Sequence, residues 1–310
     1  MAGRPGKRGR VRATRGRKGE RSPVDSGMES PQGGADAPAT RRKVHPKNAL
    51  NALTGEEWLY FTRSVIQTAY PHELSHDLRK AHGANKPPQL MRALVEFFTK
   101  PGERVLDPFA GVGGTLLGAA LAGRRATGIE ISPRWAEVYE RVCEREGIEG
   151  QELLVGDALD ILPDLGGPYD MVATDPPYNL TLERTMCDGR YPNANRRTDY
   201  STFTDDPADL SNLATYEGYL DAMQAVFAHC NRLLRKGRYL VVIVRDAYQD
   251  GRYIMTHADL ARRGEAAGLV LKGETIWYQA GTRLRPYGYP YAYVPNIAHQ
   301  HILVMQRPQD

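Results

Sequence analysis

Apolar residues in this chain fall into short unbroken runs, and these alternate with stretches in which apolar positions recur every three or four residues. Seven runs read as strands: Arg104 to Phe109, Arg125 to Ile131, Glu152 to Val155, Tyr169 to Thr174, Tyr239 to Val244, Val270 to Tyr278 and Ile297 to Gln306. Short continuous runs of this kind suit strands covered on both faces. Between them, Gln89 to Thr99, Thr115 to Leu121, Pro133 to Glu146, Tyr216 to Leu234 and His257 to Ala267 carry the helical period. Gly237 and Gly268 are read as helix stops. Ahead of the first strand, Leu53 to Tyr70 reads as one helix. Thr54 followed by Glu57 makes a capping box, and Trp58, Phe61, Val65 and Ile66 follow at helical spacing. Strands alternating with helices predict a doubly wound, Rossmann-like α/β sheet.

Two turns break the pattern where chemistry is expected. The first follows the run from Arg104 and places Gly111, Gly113 and Gly114 between a strand and a helix N-terminus. Glycine there lets a ligand approach the backbone closely. No Gly-Lys-Ser/Thr follows and the G-x-G-x-x-G spacing is incomplete, so a phosphate-cradling loop is not indicated. Taken alone, the turn is either a nucleotide-type cradle or a plain tight turn. The second is Asp175-Pro-Pro-Tyr178, which ends the run from Tyr169. Its prolines fix the backbone and donate nothing, which leaves their preceding carbonyls and the Asp175 carboxylate as acceptors. An exocyclic amine has two N–H donors to offer such acceptors, and Tyr178 offers a ring face to a base. Every one of these loops follows a strand end, so all should gather at one edge of the sheet.

With Asp107-Pro-Phe-Ala-Gly-Val-Gly113 and Asp175-Pro-Pro-Tyr178 in this order, the chain resembles the amino-methylating DNA methyltransferases of adenine N6 and cytosine N4. The resemblance covers roughly Trp58 to Arg307 and extends to Pro290-Tyr-Ala-Tyr293 and Ile297-Ala-His-Gln-His-Ile-Leu303. It implies a class I methyltransferase fold with a seven-stranded, mostly parallel sheet and an antiparallel last strand. It also implies S-adenosyl-L-methionine as cofactor and double-stranded DNA as partner. Carried over residue by residue, Asp175, Pro176, Pro177 and Tyr178 are the catalytic loop. Asp107, Pro108, Phe109, Ala110, Gly111, Gly113 and Thr115 form the cofactor loop. His82-Gly-Ala-Asn-Lys-Pro87 resembles the family's H-P-x-x-K-P motif, which assigns His82 and Lys86 to the methionine end of the cofactor, with Gly83 departing from the pattern. Glu130, at the tip of the second strand, is placed for a ribose diol, with Ile131 beside it. Asp157, with Ala158, is placed for the adenine amino group, or else caps the helix that follows.

Composition changes this picture in one respect. The chain has 310 residues, is 41% hydrophobic and carries a net charge of +4. Residues 1–47 hold 13 Lys/Arg against 4 Asp/Glu, while the remainder holds 28 against 33. The basic character therefore sits in a Gly-, Arg-, Pro- and Ser-rich tail too poor in apolar residues to fold, expected to be disordered. The tail either contacts phosphates without sequence preference, or serves solubility, or reflects a misplaced start. Residues 48–310 are expected to be the methyltransferase domain, with DNA-contacting insertions at about 180–212 and 281–296. These interleave aromatic rings with Arg184, Arg190, Arg196 and Arg197 in the first, and with Arg283, Arg285, Tyr287 and Tyr289 in the second. No run of eighteen apolar residues and no signal peptide is evident, so no membrane segment is expected. Three isolated cysteines, Cys143, Cys187 and Cys230, suit a reducing, cytoplasmic setting, and no Cys/His spacing predicts a metal.

The expected reaction is methyl transfer to adenine N6 by direct displacement on a flipped base. Cytosine N4 methylation and RNA guanosine-N2 methylation are alternatives, and a catalytically silent nucleic-acid-binding scaffold is a third. No Pro-Cys dipeptide is present for cytosine-C5 chemistry. Self-association as a homodimer and a cognate restriction nuclease are partners that the resemblance leaves open.

Overall fold

The most β-branched run, Leu240 to Val244, is buried at every residue. The computed structural model, which describes residues 43–178, 204 and 206–310, shows why: this strand lies inside a sheet with helices on both faces. Alternate side chains go to opposite sides. Val241 and Ile243 join the cluster built on one face, and Leu240, Val242 and Val244 join the cluster on the other.

The chain opens with α1 (Gly55–Phe61), β1 (Val65–Ile66), α2 (His76–Arg79) and α3 (Pro88–Phe98). Then come β2 (Arg104–Asp107), α4 (Gly114–Leu121), β3 (Arg125–Glu130), α5 (Pro133–Glu146), β4 (Glu152–Val155), α6 (Ala158–Ile161) and β5 (Tyr169–Thr174). The last part holds α7 (Tyr216–Leu233), β6 (Leu234–Val244), a hairpin of β7 (Ala247–Gln249) and β8 (Arg252–Ile254), α8 (Thr256–Ala266), β9 (Val270–Tyr278) and β10 (His299–Gln306). The main sheet has eight strands in the order β1-β9-β10-β6-β5-β2-β3-β4. Only β10 runs against its neighbours, antiparallel to both β6 and β9. This is the expected doubly wound sheet with an antiparallel last strand, widened by the two-residue β1.

That eighth strand corrects the single long helix read from Leu53 to Tyr70. The capping box is present, with Glu57 accepting from the Thr54 amide at 2.7 Å, but α1 stops at Phe61. Val65 and Ile66 pair in parallel with Ile276 and Trp277 instead. A β-branched pair suits an open sheet edge better than the fourth turn of a helix. Trp58 and Phe61 keep their core role, their rings 5.0 and 4.8 Å from Phe97. Gly237 is likewise not a helix stop. Leu234 is already extended at ψ 147°, and Gly237, at φ +75°, sits inside β6, where its amide reaches the Arg307 carbonyl. The β7–β8 hairpin was legible in Asp250-Gly251, a pair with positive φ at both positions as its turn type requires.

After β2 the chain builds outward through β3 to β4, then returns to add β5 on the other side of β2. Ligands of such sheets bind at the carboxyl ends of the strands flanking that reversal. No helix among the described residues is long and apolar enough to cross a membrane.

Candidate active site

At the carboxyl end of β2 the glycine turn is braced before it is anything else. Asp107 is 3% exposed, and its carboxylate accepts from the Phe109 amide at 3.0 Å and the Thr174 hydroxyl at 2.7 Å, tying β2 to β5. Burial pushes its carboxyl up to about 6, against hydrogen bonds that include one from Thr115. Gly113 takes φ +78° ahead of α4, and a Cβ there would lie 2.0 Å from the Tyr139 ring. Asp107, Ala110, Gly113 and Thr115 therefore shape the turn without lining the space beside it.

That space is a cleft of about 650 Å³, the open solvent at its mouth included. It is lined by His82, Pro108, Phe109 and Gly111 and, at the ends of β3 and β4, by Glu130, Ile131, Asp157 and Ala158. On its far side stand Asp175, Pro176, Pro177 and Tyr178. Twelve residues singled out in the sequence from five separate stretches thus meet in one cavity. Glu130 is 8% exposed; its oxygens accept from the Gly111 amide at 2.8 Å and the Ser132 amide at 2.9 Å. Burial, outweighing those bonds, pushes its carboxyl up to about 7. Each carboxylate oxygen retains a lone pair for a further donor. Asp157 is the N-cap of α6, one oxygen taking the Leu159 amide at 2.8 Å, and it also faces the cleft, so capping and ligand contact are compatible in one side chain. His82 lies against Trp135 with ring centroids 4.9 Å apart, and burial drops its imidazole to about 4, so it faces the cleft uncharged near neutrality. A Cβ on Gly111, at φ +53°, would stand 3.4 Å from His82, so a side chain there would take up the gap between loop and histidine.

The catalytic loop is held differently. The Tyr178 hydroxyl donates to one Asp175 oxygen at 2.7 Å, and the Lys86 ammonium pairs with the other. Of its motif, His82 and Ala84 line the cleft and Lys86 does not. Burial raises the Asp175 carboxyl, opposed by Lys86 and by the Tyr178 bond, and burial together with Asp175 raises the Tyr178 phenol well above its usual value.

Sequence reasoning missed one wall. Thr204, Ala208, Asp209 and Leu210, at the end of the stretch read as a DNA-contacting insertion, line the cleft, and Leu210 belongs to the core. Asp209 is 5% exposed, caps the turn at Ser211 and presses on Glu130 as a like charge. The signal was present in Asp209-Leu210-Ser211, a cap followed by an apolar residue. Arg184, Arg190, Arg196 and Arg197, and the tail through residue 42, lie outside the described residues.

The second insertion joins the end of β9 to β10, so it opens on the edge that carries the cleft. Asn296 staples it, accepting from the Arg285 amide at 2.9 Å and donating to the Arg285 carbonyl at 2.8 Å. Arg283, Leu284, Tyr289, Tyr291 and Tyr293 are exposed, the last at 85%, while Arg285 and Tyr287 are half-buried. Beneath it, Asp246, His257 and His301 bring ligand-type atoms within 4.8 Å of one another. The two imidazoles are stacked at 3.8 Å with planes 2° apart, so their in-plane lone pairs cannot converge on one ion. The group is an ion-paired chain instead, with His257 Nδ1 2.7 Å and His301 Nε2 3.3 Å from the Asp246 carboxylate. Burial would raise the Asp246 carboxyl, but bonds from His301 and His257 outweigh it and hold it at about 2. No sequence spacing announces this group, because its members come from three elements.

Comparison with known proteins agrees with this geometry. Residues 18–141 and 169–310 match the DNA methylase family N6_N4_Mtase. A tRNA (guanine(10)-N2)-dimethyltransferase of Methanothermobacter thermautotrophicus is 38% identical over 95 residues, 30% of this chain and 28% of that protein. Type II methyltransferase M.MthZI of the same organism is 28% identical over 105 residues, 33% of this chain and 30% of that one. M.HindIII of Haemophilus influenzae, also a Type II methyltransferase, is 43% identical over 68 residues, covering 22% and 21%. The chain thus spans less than a third of the length of these curated relatives. Among solved structures, TrmN from Thermus thermophilus superposes with a TM-score of 0.50 at 16% identity, over 77% of this chain and 54% of that one, a likeness of fold.

Proposed function

The chain belongs to the DNA methylase family, and from that membership we propose that it methylates the exocyclic amine of a base in double-stranded DNA, adenine N6 before cytosine N4. It is a methyltransferase, and S-adenosyl-L-methionine is its cofactor. The observation that carries the substrate reading is the pairing of acceptors in one cleft: Glu130 at the end of β3 and Asp175 just after β5 both face it.

The residues present fit that cofactor. Glu130 would take the ribose hydroxyls on the lone pairs its amide bonds leave free. Asp157 would take the adenine amino group, with Ile131 and Ala158 as apolar walls. Gly111 and the neutral His82 would flank the amino-acid end. The cofactor supplies the methyl group; the protein supplies position and charge. Asp175 accepts an N–H of the target amine, and the carbonyls ahead of Pro176 and Pro177 offer further acceptors. Accepting hydrogen bonds from both N–H groups draws the nitrogen lone pair out of conjugation with the ring and favours the pyramidal nitrogen that attack requires. Tyr178 stacks on the extruded base. Arg283, Arg285, Tyr287 and Tyr289 on one loop, with Arg184, Arg190, Arg196 and Arg197 before Thr204, would hold the duplex, and residues 1–47 would add a phosphate-binding arm to the methyltransferase domain.

A second reading, transfer to guanine N2 of a tRNA, is favoured by one observation, the 38% identity to the tRNA dimethyltransferase. Radiolabelled methyl transfer separates the two. Duplex DNA and total tRNA are offered to the full chain, and the labelled nucleoside is identified. Label on adenine N6 or cytosine N4 supports the DNA reading; label confined to tRNA guanine overturns it.

A further inference from the structure

Lys86 sits where cofactor binding gives no account of it. It is 7% exposed, and an ammonium that deeply covered is tolerated only with a partner. Its partner is Asp175, in the loop that follows β5. The same ammonium lies 5.9 Å from the centre of the Tyr178 ring. Its backbone is held as firmly as its head. Arg79, 1% exposed, donates to the Glu73, Leu74 and Lys86 carbonyls and so closes the loop that carries Lys86. On the other side, a Cβ on Gly114 would come within 3.0 Å of the Lys86 carbonyl, so the loop rests directly on the first turn of α4.

We propose that Lys86 is the positioning residue of the transfer step, keeping the Asp175 carboxylate charged and aimed at the incoming amine. This rests on the reading of Asp175 as the acceptor for that amine. The arithmetic of acceptors supports it. Tyr178 occupies one Asp175 oxygen and Lys86 the other, and each oxygen still has a second lone pair. The two donors fix the plane of the carboxylate, so the remaining lone pairs point in set directions. Lys86 is also the counter-charge that burial of Asp175 demands. The other ionisable groups around Asp175 are Tyr178, Asp107 at the end of β2 and Tyr219 on α7, with Arg245 acting on Tyr178 from beyond. Lys86 is the cation among them that touches the carboxylate.

Lys86→Met and Lys86→Arg test this in the full chain. Removing an opposite charge at contact distance should move the acid limb of the transfer rate to higher pH by about 1–3 units. Below the limb, each unit costs about tenfold in kcat. Lys86→Arg should keep the limb where it is, and S-adenosyl-L-methionine affinity by calorimetry should change less than about threefold in both. If Lys86→Met weakens cofactor binding about tenfold or more while the limb stays, Lys86 is a cofactor ligand and the proposal is wrong. The Asp175 carboxyl is also followed by carbon NMR, assigned against Asp175→Asn. It should titrate higher in Lys86→Met than in the parent, whatever the substrate; an unmoved titration overturns the positioning role. Absence of transfer by the parent to any nucleic acid would overturn the function above and leave the NMR result to decide on Lys86.

Discussion

Two carboxylates face the same cleft and are kept in opposite ways. Glu130 is held by two backbone amides and has like charges, Asp209 and Asp107, for neighbours. Asp175 is held by a lysine and a tyrosine hydroxyl. Amides position a group without neutralising it, so Glu130 keeps a strong demand for further donors. Under the function proposed above, a ribose diol would answer that demand, and binding would be the relief of it. Asp175 has its charge balanced before any substrate arrives, so its contribution can be reserved for the moment the amine changes shape. On the proposed reading, Glu130 serves binding and Asp175 serves reaction.

The sharpest way to break that contrast is to remove Asp175. Asp175→Ala should lower kcat on the order of 10³-fold, the upper range for deleting one preorganised electrostatic group. Cofactor affinity by calorimetry should hardly move. A parallel loss of both would mean that the two carboxylates belong to one binding site and the division is false. Tyr178 comes next. Tyr178→Ala should cost about 1–3 kcal/mol in kcat/KM through lost base stacking. A duplex mismatched at the target base should recover part of that, since extrusion is then less costly. Tyr178→Phe keeps the ring and loses the 2.7 Å bond to Asp175, so it should cost only about 1 kcal/mol. Equal losses in the two variants would show that the hydroxyl, not the face, matters.

Much of this cleft could be read from the sequence because strand ends announce themselves. A short apolar run followed by Asp-Pro-Phe or Asp-Pro-Pro-Tyr says where the sheet stops and what stands at its edge. Glu130 and Asp157 followed from the same logic. The resemblance to the H-P-x-x-K-P motif points Lys86 to the cofactor; only the fold reveals that the loop after β5 delivers Asp175 to it. Asp209-Leu210-Ser211 carries a cap signal, but after a long polar stretch with no periodicity nothing in the sequence says that the capped turn returns to the cleft. Val65 and Ile66 misled because four apolar residues at helical spacing do not say whether a helix continues or an edge strand begins. The stacked pair of His257 and His301 depends on α8 crossing β10, a contact with no local signature.

On the binding side, Glu130→Ala should weaken S-adenosyl-L-methionine by about 1–3 kcal/mol, the cost of leaving ribose hydroxyls without their acceptor. At saturating cofactor, kcat should stay near that of the parent. A fall in kcat at saturation, with unchanged affinity, would move Glu130 to the reacting side and reverse the comparison.

The smallest effect follows from what Glu130 costs the protein when nothing is bound. Its carboxyl ordinarily titrates near 4.5 and is pushed up to about 7 in the folded chain. A raised folded value means the folded state holds the proton more tightly than the unfolded one. The stabilisation is therefore fully present below 4.5 and is lost as pH rises through about 7. Above that, the charged form sits in a poorly solvated place with only amide dipoles for company. Water entering the open cleft softens the penalty, so the loss should be on the order of 1 kcal/mol, a few degrees in Tm for a chain of this size. Glu130→Gln cannot titrate. Without cofactor, its Tm relative to the parent should rise between pH 5 and pH 8, and saturating cofactor should shrink that rise by donating to the parent's carboxylate. A difference that stays flat with pH would mean that Glu130 is already satisfied by Gly111 and Ser132, and that its demand for further donors is not what draws the ribose in.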